Sequence, residues 1–388
     1  MEDRLSLPVA AVSCRDYRDT ALELKLAEVI SAVNGLDALK PGARVGIKAN
    51  LVSAMAPEKA ATTHPALLSA LVRILLGRGA SEVIVGDSPG GLYTPAFVSR
   101  VYRASGMDAV IKAGGRLNED FGQKEGYLKG ARVARSFTYT SWIDGVDLLI
   151  NVSKLKSHGM MGMSNAVKNL FGIVPGTMKP EYHFRFPDHG AFADMLIDLA
   201  EFARPVLSIT DAIVGMEGNG PTQGSPREIG LILASRSPYN LDLVAAEIIG
   251  LSANDVPTLT AATRRGLSPE RAKDVELLFG EPLPRLPGFR HVAVRHSLSF
   301  SGNRGPLGRA FSFVARRALT SRPTVRRGCI GCKKCAEICP ARAIVMKNSK
   351  PVIDRTSCIR CFCCQEFCPV GAMQVHRTAI ARLLTKQK

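Results

Sequence analysis

The stretch Asp147-Leu148-Leu149-Ile150-Asn151-Val152-Ser153-Lys154-Leu155-Lys156-Ser157-His158 opens as an apolar run and closes as a row of bases. A short apolar run ending in polar residues is the pattern of a strand buried on both faces of a parallel sheet. In an extended segment alternate side chains share a face, so Lys154, Lys156 and His158 are expected to project together from the strand's carboxyl end. Open α/β sheets place their ligands at that edge. Two ammonium groups on one face repel each other unless an anion sits between them; a solvated basic loop is the plainer alternative.

Similar apolar runs lie at 9–12, 44–49, 82–86, 206–210 and 229–234, and all are expected to be buried parallel strands. Helical patterns at 20–33, 65–76, 191–202 and 238–249 fall between them. This alternation predicts an α/β fold, a layered and mostly parallel sheet with flanking helices, for a body spanning 1–300. Pro282, Pro284 and Pro287 mark its far edge, and 290–294 reads as a last strand. Other strand exits are polar too. Lys48 and Asn50 lie two apart on one face. Thr63 or His64 caps a helix opening at Pro65, leaving N–H groups suited to an anion. Gly86-Asp87-Ser88-Pro89-Gly90-Gly91 follows another strand, and a loop with Glu217 and Asn219 follows Asp211. Gly159 and Gly162 lead through a flexible loop into a short helix carrying Lys168 and Asn169.

With 388 residues the chain has room for about two domains. Its apolar fraction of 46% and charged fraction of 22% are ordinary, which excludes wholesale disorder and fibrous repeats. No apolar run reaches the roughly 18 residues of a membrane-spanning helix. Glu2, Asp3 and Pro8 argue against an export signal at the start, so a cytoplasmic location is expected. The formal charge of +17 is concentrated in one part: before Arg285 there are 30 Lys/Arg against 31 Asp/Glu, and from Arg285 onward 21 against 3. Cysteine divides likewise, with Cys14 in the body and nine residues between Cys329 and Cys368. Without an export signal that density reads as a metal site instead of a disulfide scaffold.

The nine fall into two frames, Cys329-x2-Cys332-x2-Cys335-x3-Cys339-Pro340 and Cys358-x2-Cys361-x2-Cys364-x3-Cys368-Pro369, with Cys363 as an extra. Residues 327–376 resemble a bacterial two-cluster ferredoxin domain, a small α+β unit, with Ile344-Val345 and Pro351-Val352-Ile353-Asp354 standing where such domains place a hairpin. The resemblance implies two [4Fe–4S] clusters, with the fourth cysteine of each frame crossing to the other centre. Cys329, Cys332, Cys335 and Cys368 would hold the first, and Cys358, Cys361, Cys364 and Cys339 the second. Zinc ribbons also use paired C-x2-C spacing, but eight ligands in two such repeats do not suit tetrahedral zinc. Cys363 and Cys14 are expected to be structural. Between the two parts, the stretch 301–326 reads as a linker whose residues 307–319 form a basic amphipathic helix, able to dock on a domain or to touch an anionic membrane surface. Residues 377–388 are a short tail.

The body's motifs are also recognisable. Lys154-Leu-Lys156-Ser-His158-Gly with Asn165-Ala-Val-Lys168-Asn169-Leu-Phe-Gly, Asp211-Ala-Ile-Val-Gly-Met-Glu217-Gly-Asn219-Gly-Pro and Lys48-Ala-Asn50 resemble the domain of unknown function 362 family, whose members often carry a C-terminal two-cluster ferredoxin domain. The expected function is an iron–sulfur oxidoreductase, a reductase passing electrons to an anionic small molecule in the body. Lys48, Asn50, Lys154, Lys168, Asn169, Asp211, Glu217 and Asn219 would bind it, while Lys156 and either His158 or His64 would serve catalysis. The alternative is a non-catalytic electron-transfer or maturation protein that docks a partner. A basic tail suits an acidic redox partner; with few aromatic groups among dispersed cations, nucleic acid is not expected. There is no G-x-G-x-x-G fingerprint for NAD, and nothing indicates a flavin.

Overall fold

The computed structural model describes residues 4–18, 20–278, 284–292 and 321–376. The expected basic helix at 307–319 and the tail at 377–388 lie outside the described residues. The body contributes β1 (Val9–Ser13), β2 (Arg44–Lys48), β3 (Glu82–Gly86), β4 (Arg116–Leu117), β5 (Gln123–Tyr127), β6 (Ser136–Thr140), β7 (Leu148–His158), β8 (Gly162–Ser164), β9 (Leu207–Glu217), β10 (Ser225–Ser235) and β11 (Leu277–Leu278). One sheet runs in the order β11–β1–β10–β9–β7–β2–β3–β4, with β8 paired to β7 and β5–β6 forming a separate hairpin.

Strands β4, β3, β2, β7 and β9 are parallel in sequence of pairing, as the alternating pattern predicts. The run at 229–234 needs correction: β10 pairs antiparallel with both β9 and β1. Only residues 218–224 separate β9 from β10, and a parallel crossover requires a dozen or more. Strands β7 and β9 also extend to 11 residues each, past their apolar runs. Asp211 and Glu217 are thus strand residues and not parts of a loop. Of the strand expected at 290–294, residues 290–292 are described and are not in a strand. The edge strand at that side is β11.

Helices Leu22–Ala32 and Pro65–Gly77 cover one face, where Leu26, Ile30, Leu68 and Leu71 pack on Ile47, Ile150 and Val152. Helix Pro238–Ile248 covers the other, setting Leu241 and Val244 against Leu155, Ala212 and Leu233. A third apolar cluster forms around helix His189–Ala203, whose N–H groups at Gly190 and Ala191 are capped by Asp188. Phe137, Phe171, Tyr182 and Phe192 meet there.

The C-terminal unit has two antiparallel pairs, β12 (Arg322–Val325) with β15 (Met373–His376) and β13 (Ile344–Lys347) with β14 (Lys350–Ile353), the latter being the hairpin expected between the frames. It is fastened to the body. Phe362 buries in the third cluster, a contribution of about 1.5–3 kcal/mol for a side chain of that size. Gln365 Nε2 donates to the carbonyl of Asn219 at 2.9 Å, and Gln223 Nε2 to that of Cys368 at 3.2 Å. The turn between β9 and β10 therefore holds the unit over the carboxyl edge of the parallel strands.

Candidate functional site

Each cysteine frame turns tightly before a one-turn helix. Lys333 precedes Lys334–Glu337 and Phe362 precedes Cys363–Glu366, with φ of 66° and 62°. Each helix carries the third cysteine of its frame, and the chain beyond delivers the fourth to the other frame. Cys329, Cys332, Cys335 and Cys368 line one void; Cys339, Cys358, Cys361 and Cys364 line another. Neither void has a carboxylate or an imidazole in its lining. Lys333 also lines the first and Arg360 and Cys363 the second, and clustered soft thiols in a shell without hard oxygen donors are the chemistry of an iron–sulfur centre. Cys332 is exposed on the outer surface, while Cys368 of the same set faces inward to the body.

Between unit and body lies a cleft of about 550 Å³ that Cys368 and Cys363 help to line. The body side contributes Asn50, Lys156, His158, Lys168, Asn169 and Lys179. Strand β7 brings Lys156 to the floor, where its Nζ donates to Asn50 Oδ1 and to the carbonyl of Ala61, both at 2.8 Å. Asn50 Nδ2 in turn donates to Asn169 Oδ1 at 2.8 Å, so the side chain is held in one orientation. The helix Ala166–Asn169 presents Lys168, whose ammonium stands 4.9 Å from the Phe171 ring centroid. Lys179 Nζ donates to the carbonyl of Ser88 and lies 5.9 Å from the same ring.

His158 Nδ1 accepts the N–H groups of Met160 and Met161 at 3.0 and 3.2 Å. Its neutral form consequently carries the proton on Nε2, which lies 3.2 Å from Glu366 Oε1. A second proton on Nδ1 would break both backbone hydrogen bonds. Burial lowers its pKa, and Glu366 opposes the shift. Burial pushes the Glu366 carboxyl upward, but His158, Lys168 and His183 outweigh it and hold it at about 2. Burial brings Lys156 and Lys179 each down to about 7, aided at Lys156 by repulsion from Lys168 and partly offset at Lys179 by Asp87. Lys168 is lowered by burial as well. The cleft thus holds the Glu366 carboxylate, with Asp87 and Glu337 also in its lining, and amines that burial draws toward their neutral form.

Other residues expected at the site lie elsewhere. Lys48 is buried with its Nζ 2.8 Å from Asp87 Oδ1, an internal ion pair of which only Asp87 reaches the cleft lining. Gly172 passes so close that an added Cβ would overlap both Asp87 and Lys48. Lys154 leaves the same face of β7 as Lys156 but pairs with Asp211 at 3.0 Å and with the Tyr17 hydroxyl at 2.6 Å. His64 belongs to that second group: its ring stacks on Tyr17 at 3.5 Å, its Nδ1 caps the helix Pro65–Gly77 and its N–H donates to Asp211. Burial lowers His64 to about 4. The carboxylate at that helix start is the protein's own. Glu217 binds Arg290 at 2.8 Å, and Asn219 serves the domain contact through its carbonyl.

The residues that reasoning from sequence missed are Lys179, His183 and Glu366. Glu366 had a signal, being one of three acids among the tail's 21 cations. Lys179 and His183 had none that was read: they lie four residues apart on the short helix Lys179–Arg185, which the apolar periodicity does not announce.

The model for the domain of unknown function 362 matches residues 45–247, and that for a 4Fe-4S dicluster domain matches 328–372. A thylakoid-associated protein of Synechocystis is 33% identical over 284 residues, covering 71% of this chain and 84% of that protein. Among solved structures, the lactate racemase apoprotein of Thermoanaerobacterium thermosaccharolyticum aligns at 12% identity and TM-score 0.38, and a Thermotoga maritima protein at 14% and 0.33. These alignments cover 62% and 53% of this chain but only 57% and 53% of the solved ones. At such scores neither carries a functional argument. Among the described residues no helix is long and apolar enough to cross a membrane.

Proposed function

Because this chain belongs to the domain of unknown function 362 family and ends in an iron–sulfur electron-transfer domain of the 4Fe-4S dicluster type, we propose that it is a reductase acting on an anionic small molecule in the cleft. The observation that carries this reading is the position of Cys368, a thiol of the first set that forms part of the wall of a lysine-lined cleft. Cys329, Cys332, Cys335 and Cys368 would hold one [4Fe–4S] centre and Cys358, Cys361, Cys364 and Cys339 the second, and such centres supply single electrons.

The chain's own groups do the rest. Lys168 and Lys179 bind the anionic head. Lys156, with a pKa of about 7, is matched to giving a proton near neutrality. His158 does not suit that task, since its Nε2 lies 3.2 Å from the Glu366 carboxylate and its other nitrogen is occupied. It positions Glu366, whose carboxylate partly opposes the lowering that burial imposes on Lys156 and Lys168. Electrons come from an acidic redox protein, because residues 321–376 carry ten Lys/Arg against three Asp/Glu. We place the chain in the cytoplasm; the relative's thylakoid association and the basic apolar stretch at 307–319 support peripheral contact with an anionic membrane surface.

The test is to reduce the anaerobic protein with dithionite and offer oxidised small molecules. Reoxidation by an anionic acceptor is expected, slowed at least about tenfold by Lys156→Ala, which is about 1.4 kcal/mol of barrier. A pure carrier or maturation factor would transfer to its protein partner at an unchanged rate in that variant and reduce no small molecule.

A further inference from the structure

The cleft has two zones. At the inner end, Lys168 and Lys179 stand over Phe171, and among the described residues Lys168 Nζ has no carboxylate within ion-pair distance. Beyond them the lining is mostly apolar, with Val52, Met55, Leu92, Phe97 and Phe367, although Arg100, 5.5 Å from the Phe97 ring centroid, and Lys334 and Glu337 also contribute. Leu92 is 59% exposed, in a body whose other large apolar groups are mostly inside. The ring of Phe97 presses on Gly91, where a Cβ would collide with it, and the ring of Phe367 lies close against Gly90, 3.0 Å from where a Cβ would stand. The loop is thereby held flat against two aromatic groups that flank an open cavity.

A small hydrophilic anion would satisfy the inner cations and leave the apolar mouth wet. A purely apolar ligand would leave Lys168 with only the more distant Glu366 carboxylate and no ion-pair contact among the described residues, at a cost of the kind that excludes poorly compensated charge from protein interiors. The volume of about 550 Å³ falls within the range of pockets that enclose organic ligands of tens of atoms. From this division we infer that the cleft takes an amphipathic organic acid, with a carboxylate or phosphate head between Lys168 and Lys179 and an apolar body extending along Phe97 and Phe367 to Leu92. The inference rests on the reading of this cleft as the substrate site and adds the class of substrate.

Binding tests it without electron flow. Anaerobic full-length protein is titrated calorimetrically with naphthalene-2-carboxylate, 2-naphthyl phosphate, naphthalene-2-carboxamide, acetate and inorganic phosphate. At least one naphthyl anion is expected to bind about tenfold or more tightly than the carboxamide, and by the same margin more tightly than acetate or inorganic phosphate. The stronger of the two names the head group. Lys168→Ala should weaken that anion about tenfold and leave the carboxamide unchanged. Leu92→Asp, at an exposed position, should weaken the naphthyl anions and spare inorganic phosphate. The inference is overturned if acetate or inorganic phosphate matches the naphthyl anions, if the carboxamide binds equally well, or if no naphthyl anion binds. A naphthyl anion that binds while no acceptor reoxidises the reduced protein would leave this ligand class standing and remove the reductase.

Discussion

Lys156 and Lys179 show how burial sets chemistry one residue at a time. Removing an ammonium from water penalises its charged form, and both side chains fall from 10.5 to about 7. Near pH 8 each is therefore mainly the neutral amine. A bound carboxylate or phosphate favours the ammonium, so binding of an organic acid is expected to take up protons there and to weaken as pH rises from about 6 to about 9. Calorimetry in two buffers of different ionisation enthalpy reads this directly; identical heats would show that these amines do not meet the anion. Sequence could point to Lys156 and His158, because their alternation along β7 is a local property. It could not separate Lys154 from Lys156, whose opposite fates depend on Asp211 of β9 and on Asn50 just beyond β2.

At the level of elements, β2, β3 and the turn at Gly172 form one unit through the Lys48–Asp87 pair. Both side chains are buried, so the pair is neutral as a whole but intolerant of losing one member. Asp87→Asn is expected to destabilise the folded protein by about 3–5 kcal/mol, and adding Lys48→Met to recover most of the loss. Denaturant unfolding of both variants checks this, and an unchanged midpoint for Asp87→Asn would mean that the ammonium has another counterion. The sheet's parallel half was legible because βαβ units repeat a simple apolar rhythm. The reversal of β10 and the length of β7 and β9 were not, since buried ion pairs and hydrogen-bonded Asn side chains let polar residues occupy strand interiors that hydropathy reads as loop.

For the molecule as a whole, the decisive arrangement is the crossing of the two cysteine frames above the cleft. Cys368 belongs to the second frame in sequence and to the first set in space. If two [4Fe–4S] centres are bound as proposed, Cys368→Ser is expected to disturb the centre that Cys329, Cys332 and Cys335 would hold and to lower iron from about eight toward about four per chain. Magnetic resonance of the reduced variant, compared with Cys364→Ser, identifies which centre remains. Loss of the same centre in both variants would contradict the crossing.

Sequence by itself determined the layered α/β body, the thiol frames and the concentration of positive charge in the tail, because periodicity, ligand spacing and composition are written along the chain. Only tertiary structure decided which cations face a cavity, since Lys48 and Lys154 pair with carboxylates across the sheet while, among the described residues, Lys156, Lys168 and Lys179 make no such ion pair. It also decided that Glu366 completes the cleft from the far domain. Coulomb attraction and desolvation act through space, and the partner that settles a buried charge is set by which strands and turns the fold brings within a few ångströms.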